Sequence, residues 1–361
     1  MRIPAPFLRP VATKWVPHHG PPAMEHGLPP SLAFVLASSW IIGTPGPDEL
    51  PGTAQKDRIL SLGGADTIEG LGDADLIFGG SGNDLIRGEG RSFEGAQIGG
   101  DDTILGGPGD DTILGGYGFG PLDDGDNLIF GQAGDDRITA GWGADTVLGG
   151  SGDDVITGYG TFVGVPFRAA DQVLQAEPAD LLLGGAGDDL IEGGGGADKL
   201  HGGTGDDTLI GGYGADLLFG GPGADVFVMR LPPVPFATTP DTGVGEGQRD
   251  ILGDFRQGRD LIDLSDYDDP ARFFTFPGSP SAIDLPAPIF LGTEPFEASF
   301  ALQVRYDILP EGRTVVQFAT PLGALPPAED AIPAIPEPTG EIELPGFVVL
   351  TSADFVLDYV I

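Results

Sequence analysis

A carboxylate recurs in this chain at almost fixed spacing. Between Gly43 and Val228 a nine-residue unit can be laid in register seventeen times, and its sixth place is held by Asp48, Asp57, Asp66, Asp75, Asp84, Asp102, Asp111, Asn127, Asp136, Asp145, Asp154, Asp180, Asp189, Asp198, Asp207, Asp216 and Asp225. The unit reads Gly-Gly-x-Gly-x-Asp-x-aliphatic-x, as in Gly79-Gly80-Ser81-Gly82-Asn83-Asp84-Leu85-Ile86-Arg87. Its glycines tolerate positive φ and close backbone approach, so the first six residues form a turn. Such a turn offers a carboxylate beside carbonyl groups freed by the glycine conformations. Hard oxygens of both kinds are what calcium takes, six to eight at a time. Asp and Gly also make turns unaided, but turn chemistry alone would accept Asn freely at the sixth place. Only Asn127 breaks the charged series.

These carboxylates must be positioned by the rest of the unit. The eighth place runs Leu50, Ile59, Ile68, Ile77, Ile86, Ile104, Ile113, Ile129, Ile138, Val147, Ile156, Leu182, Ile191, Leu200, Leu209, Leu218 and Phe227, with no polar interruption. It is the middle of a three-residue strand, too short to stand alone. Copies must therefore stack, with the aliphatic side chains in an interior column. One such side chain per nine residues is a thin core, and stacking aspartates on one another adds repulsion. A cation bound between turns would turn binding energy into folding energy.

The nonapeptide is similar to the calcium-binding parallel β-helix repeat of RTX proteins. That resemblance implies an all-β protein: a right-handed parallel β-roll, or β-solenoid, of nonapeptide repeats over residues 43–228. Two units make one coil, so alternate units stack on the same edge. It also implies that calcium is held by the sixth-place aspartates, several ions per chain. The pairs about one ion would be Asp189 with Asp207, Asp207 with Asp225, Asp198 with Asp216, Asp180 with Asp198, Asp111 with Asp136, Asp136 with Asp154, Asp48 with Asp66, and Asp66 with Asp84. Asp101, Asp110, Asp135, Asp153, Asp188 and Asp206, one place earlier, are expected to be solvated. The pattern is degraded at Asn127, at Gly43-Thr44-Pro45 and at Ser61-Leu62-Gly63. Beyond the repeats, Asp250-Ile251-Leu252-Gly253-Asp254-Phe255 through Asp260-Leu261-Ile262-Asp263-Leu264-Ser265 resembles the post-repeat segment of serralysin-type RTX proteins, which implies a β-sandwich-like cap over 229–361. A solenoid needs a cap to cover its last apolar coil. Tyr306 to Phe318 reads as a hairpin turning at Pro310-Glu311-Gly312-Arg313, and Gly346 to Leu357 as further strands. The closing Asp358-Tyr359-Val360-Ile361 resembles the uncleaved signal read by type I exporters, which implies secretion and folding in extracellular calcium.

Composition narrows the function. Fifty-five acidic residues against 17 basic ones give a formal charge of −38. Nucleic acid is excluded as a partner, because phosphate neutralisation needs Lys and Arg. There is no cysteine, so metal is the available staple for a secreted chain. No run is long enough to span a membrane. Residues 1–42 form a Pro-rich leader, whose Leu32 to Ile42 stretch is expected to cap the first coil. No His-Glu-x-x-His or Gly-x-Ser-x-Gly motif appears, and the four histidines are His18, His19, His26 and His201. The expected function is non-catalytic: structural, adhesive or recognition. The alternative is a polysaccharide-acting enzyme module with its site in the enlarged turns or the C-terminal domain.

Three turns are longer than six residues: Gly88 to Asp102, Gly115 to Asn127 and Gly158 to Asp180. All belong to even-numbered units, as do Trp142 and Tyr213. Together with Phe93, Tyr117, Phe119, Tyr159, Phe162 and Phe167 they make one edge aromatic. Clustered exposed aromatics mark binding sites, so this edge is a candidate surface for carbohydrate or a cell-surface protein.

Overall fold

Successive nonapeptides alternate between two parallel sheets. The computed structural model describes residues 40–89, 99–116, 125–159, 177–230, 247–265, 289–293, 295, 303–319, 340–346 and 348–356. All fall within one compact unit, residues 38–361. One sheet takes Trp40–Ile42, Arg58–Leu60, Leu76–Phe78, Thr103–Pro108 and every second strand onward, while the other takes the strands between, from Glu49–Thr53 through Val226–Val228. The fold is that of a parallel β-roll. Each side chain at the eighth place sits in register on its counterpart two units away. Ile59 faces Ile77, then Ile104, on one sheet; Ile68 faces Ile86, then Ile113, on the other. From Ile59 to Phe227 every member of both columns is fully buried. Alternation within three residues lets one side chain enter the core while its neighbours face out.

The coils pack so closely that some positions admit only glycine. Gly107 has φ +124°, and a Cβ there would run into the carbonyl oxygen of Gly80 in the coil below. The degraded units still keep the turn. Leu62 and Gln132 stand where the second glycine belongs and adopt its left-handed conformation, at φ +82° and +88°. That costs roughly 1–2 kcal/mol each for a side-chain-bearing residue.

Stacking does not stop where the repeat pattern ends. Asp250–Leu252 adds to Leu217–Phe219, and Leu261–Asp263 to Val226–Val228, both in parallel. The C-terminal cap then grows from one sheet. Gly340–Pro345 runs parallel to Asp250–Leu252, and Arg313–Ala319 and Gln303–Leu309 follow as an antiparallel hairpin. That hairpin is the one expected around Tyr306 to Phe318. Past Gly346 the chain forms a short 3-10 turn, Ser352–Asp354, and the strand Phe355–Val356, which pairs with Leu261–Asp263. The first strand, Trp40–Ile42, begins the first sheet. Leu32 to Ser39 and the terminal Asp358 to Ile361 lie outside the described residues.

Candidate calcium-binding turns

The turn aspartates form two continuous ladders. On one edge Asp48 N–H donates to Asp66 Oδ1 at 2.7 Å, Asp66 N–H to Asp84 Oδ1 at 2.8 Å, and Asp84 N–H to Asp111 Oδ1 at 2.8 Å. The series continues through Asp136, Asp154, Asp189, Asp207 and Asp225. On the other edge it runs Asp57, Asp75, Asp102, Asn127, Asp145, Asp180, Asp198, Asp216. All eight pairs expected from the sequence are therefore brought together. The one-earlier aspartates are exposed, as expected, but they are also ordered. Asp110, Asp135, Asp153 and Asp188 each accept the amide of their counterpart in the next coil.

Each ladder carboxylate spends one oxygen on the coil beneath it. The other is left over. Oδ2 of Asp66, Asp75, Asp84, Asp102, Asp111, Asp136, Asp154, Asp180, Asp189, Asp198, Asp207 and Asp225 is buried and has no hydrogen-bond partner among the described residues. A buried polar atom without a partner is costly, and a buried charge far more so. For the carboxyls of this set from Asp75 onward desolvation is the largest influence, and an amide hydrogen bond offsets part of it. Asp84, Asp154, Asp207 and Asp225 are pushed up to about 6. Asp75, Asp111, Asp136, Asp180 and Asp189 reach about 7. Asp102 reaches about 8, and Asp198, with Asp216 beside it, about 9.

The leftover oxygen lies in a cradle that only glycine can leave open. A Cβ on Gly79 would sit 2.8 Å from Asp84 Oδ2 and 2.5 Å from the carbonyl oxygen of Gly106, the first residue of the unit stacked above. The same trio recurs at Gly106 with Asp111 and Gly131, and at Gly193 with Asp198 and Gly211. The cradle thus gathers an unpartnered carboxylate oxygen and a backbone carbonyl, both hard donors. Among the described residues no three Asp, Glu or His side chains form a metal-holding group. Carbonyls would have to complete the shell, so these residues fit a calcium ion.

A family model described as the RTX calcium-binding nonapeptide repeat (4 copies) matches residues 40–68, 51–86, 98–118, 123–156, 179–209 and 192–227. The chain carries RTX calcium-binding nonapeptide repeats over these residues. Among solved structures, this chain matches the AlgE6R3 subunit of the Azotobacter vinelandii mannuronan C5-epimerase at 27% identity, covering 50% of this chain and 81% of that one, with a TM-score of 0.27. No curated protein matches. No helix among the described residues is long and apolar enough to cross a membrane.

Other expectations need correction. Trp142 and Tyr213 do lie on the edge of the enlarged turns, with the ladder through Asn127, Asp145, Asp180 and Asp216. They are not exposed, however: Trp142 is 3% and Tyr213 6% accessible. Tyr213 registers against Gly195, and a glycine partner leaves room for the ring to fold in. Tyr159, half-buried, packs on Gly194 and bonds Glu192 through its hydroxyl at 3.1 Å. Burying an aromatic ring is more favourable than leaving it in water. Phe93, Tyr117, Phe119, Phe162 and Phe167 lie outside the described residues.

Several residues of the site escaped the sequence pattern. Asp250 and Asp260 extend the two ladders by accepting the amides of Asp216 and Asp225. Their signal was an aspartate two places before an aliphatic, with only Gly245 or Gly258 left of the three turn glycines. Glu177, at the end of an enlarged turn, is 6% accessible and accepts the Gly195 amide at 3.0 Å. Burial, with Asp180 and Asp198 nearby, pushes its carboxyl up to about 10.

Proposed function

We propose that this protein is secreted and that its roll folds on binding calcium outside the cell, in a non-catalytic, structural role. The observation that carries the reading is the double file of buried, unpartnered Asp Oδ2 atoms, nine of the twelve, such as Asp84, Asp111 and Asp198, gathered with a carbonyl of the stacked turn about the first glycine of the unit. A divalent cation supplies the positive charge and the oxygen coordination that such atoms lack. This chain's residues do the rest. Where a unit begins with glycine, that residue keeps the cradle open. The ladder amides orient the carboxylates through Oδ1 and leave Oδ2 facing the cradle. The aliphatic columns keep water from the inner side. Coils of two units then lock in sequence, since each coil's amide bonds the carboxylate of the next.

Calcium-dependent folding suits export. A chain of charge −38 with half-empty cores would stay extended where calcium is scarce. Extracellular modules bind in about the 10⁻⁴–10⁻³ M range, which is the range of calcium outside cells. With Trp142 and Tyr213 buried, a scaffold role is better supported than ligand recognition by the aromatic edge.

The test is a calcium titration of the purified, chelated chain followed by far-ultraviolet circular dichroism. A cooperative gain of β signal with calcium, and its absence with magnesium, is the expected result. A spectrum and melting point that chelation leaves unchanged would falsify the proposal.

A further inference from the structure

Four turns in the ladders are not like the others. In each, a group of the protein stands where the interior turns have an unpartnered oxygen. At Asp48, Oδ2 accepts both the amide and the hydroxyl of Thr44, at 2.5 and 2.9 Å. At Asp57, Thr53 does the same at the same distances. At Asp260, Oδ2 accepts the amide of Arg256 at 2.6 Å, while the Arg256 guanidinium donates to the Gly221 carbonyl at 2.6 Å. Thr44, Thr53 and Arg256 all occupy the second place of their unit. Interior units whose turns keep the six-residue length hold a left-handed residue there, and where that residue is glycine its amide can turn away to a carbonyl of the stacked coil, as Gly80 does to Gly106 at 2.9 Å. None of these three residues has positive φ, and each amide points back to its own aspartate.

The fourth turn reaches the same end differently. Asn127 keeps the ladder through Oδ1, which accepts the Asp102 amide at 3.0 Å. Its Nδ2 then occupies the Oδ2 place and donates to the carbonyls of Gly125 and Ala140, both at 3.3 Å. Ala140 is the first residue of the unit stacked above, so this is the carbonyl that flanks the leftover oxygen in other cradles. A Cβ on Gly115 would sit 3.1 Å from that nitrogen, in the position Asp84 Oδ2 holds above Gly79.

We infer that the turns ending in Asp48, Asp57, Asn127 and Asp260 are sealed by the protein's own hydrogen-bond donors and take no ion, whereas the interior turns do. The two threonines and the arginine close three of the four ladder ends, and the asparagine interrupts one edge in the middle. Calcium occupancy is then written into two places of the unit: the second, where a six-residue turn needs a left-handed residue, and the sixth, where it needs a carboxylate. Adding a donor at either place closes a turn, and removing it opens one.

This inference rests on the calcium reading above, and ion counting separates the two. Calcium-saturated wild type, Asn127→Asp, Thr44→Gly and Asp136→Asn would be counted by native mass spectrometry, with circular dichroism in calcium to establish that each is folded. Asn127→Asp restores the carboxylate, and Thr44→Gly rebuilds a Gly-Gly-x-Gly-x-Asp turn; each is expected to bind an additional ion. Asp136→Asn is expected to bind fewer while keeping the wild-type spectrum, because its amide would reach the Gly134 and Gly149 carbonyls as Asn127 reaches its own. Wild type that binds no calcium overturns the proposed function. Wild type that binds calcium, with counts unchanged in the folded variants, overturns this inference alone. Should Asn127→Asp not fold, the Thr44→Gly and Asp136→Asn counts decide it.

Discussion

Freed of calcium and taken from about pH 5.5 to about pH 9, the protein is expected to unfold as the solution becomes more basic, opposite to the usual behaviour of buried acids in ion pairs. Ladder carboxylates such as Asp84, Asp102 and Asp198 have native values above the unfolded one of 3.8, so between those limits the folded chain holds more protons than the unfolded chain. Protonation therefore favours the fold at low pH, and that stability is lost as the pH rises through the native values. The loss is nearly complete by pH 6 for Asp84, Asp207 and Asp225, and runs on to near 8 for Asp102 and near 9 for Asp198. Above pH 5.5 a group at about 8 still loses about 3 kcal/mol and one at about 9 about 5 kcal/mol. Asp102 and Asp198 together reach the range of a whole domain's stability, ~5–15 kcal/mol. The metal-free roll should thus retain β structure near pH 5.5, above its isoelectric point of about 4.1, and lose it by pH 9. With calcium present the trend reverses. The ion replaces the protons, so the loaded protein is most stable at neutral to basic pH and weakens as protons compete below about 7. Circular dichroism and urea unfolding across this range, with and without calcium, measure both limbs. A metal-free protein whose stability is flat or increases from pH 5.5 to 9 refutes the reasoning.

Two further outcomes follow from the packing. Gly107→Ala should prevent stacking, costing more than about 4 kcal/mol, because its Cβ meets backbone in the next coil; Gly258→Ala, at φ +74° with no atom within 4 Å, should cost only ~1–2 kcal/mol in calcium-loaded denaturant unfolding. Arg249→Met should destabilise the cap by about 1–3 kcal/mol in thermal unfolding of the loaded protein, since Arg249 lies 3.3 Å from Glu341 and 3.7 Å from Glu343, both buried, while Glu343 keeps Arg313 at 3.0 Å and Glu341 keeps the Gln317 amide.

The nine-residue period alone determined a great deal. An aliphatic at every eighth place, set in units too short to fold singly, can be buried only by stacking, so the columns from Ile59 to Phe227 were legible in advance. The pairing of Asp189 with Asp207, or Asp111 with Asp136, followed from the same repetition, because equivalent residues of stacked units must meet. Local sequence could not say which oxygen of each aspartate would be free. That was decided when the amide of one coil took Oδ1 of the next, a contact between residues 18 to 35 places apart. Nor could it show that Asp250 and Asp260 prolong the ladders without the full set of three glycines, or that Trp142 and Tyr213 turn inward. Whether the second residue of a turn is left-handed, and so whether its amide leaves or seals the aspartate, depends on the neighbouring coil. Spacing prescribes which residues come together; the direction of each hydrogen bond is settled only once the coils are in contact.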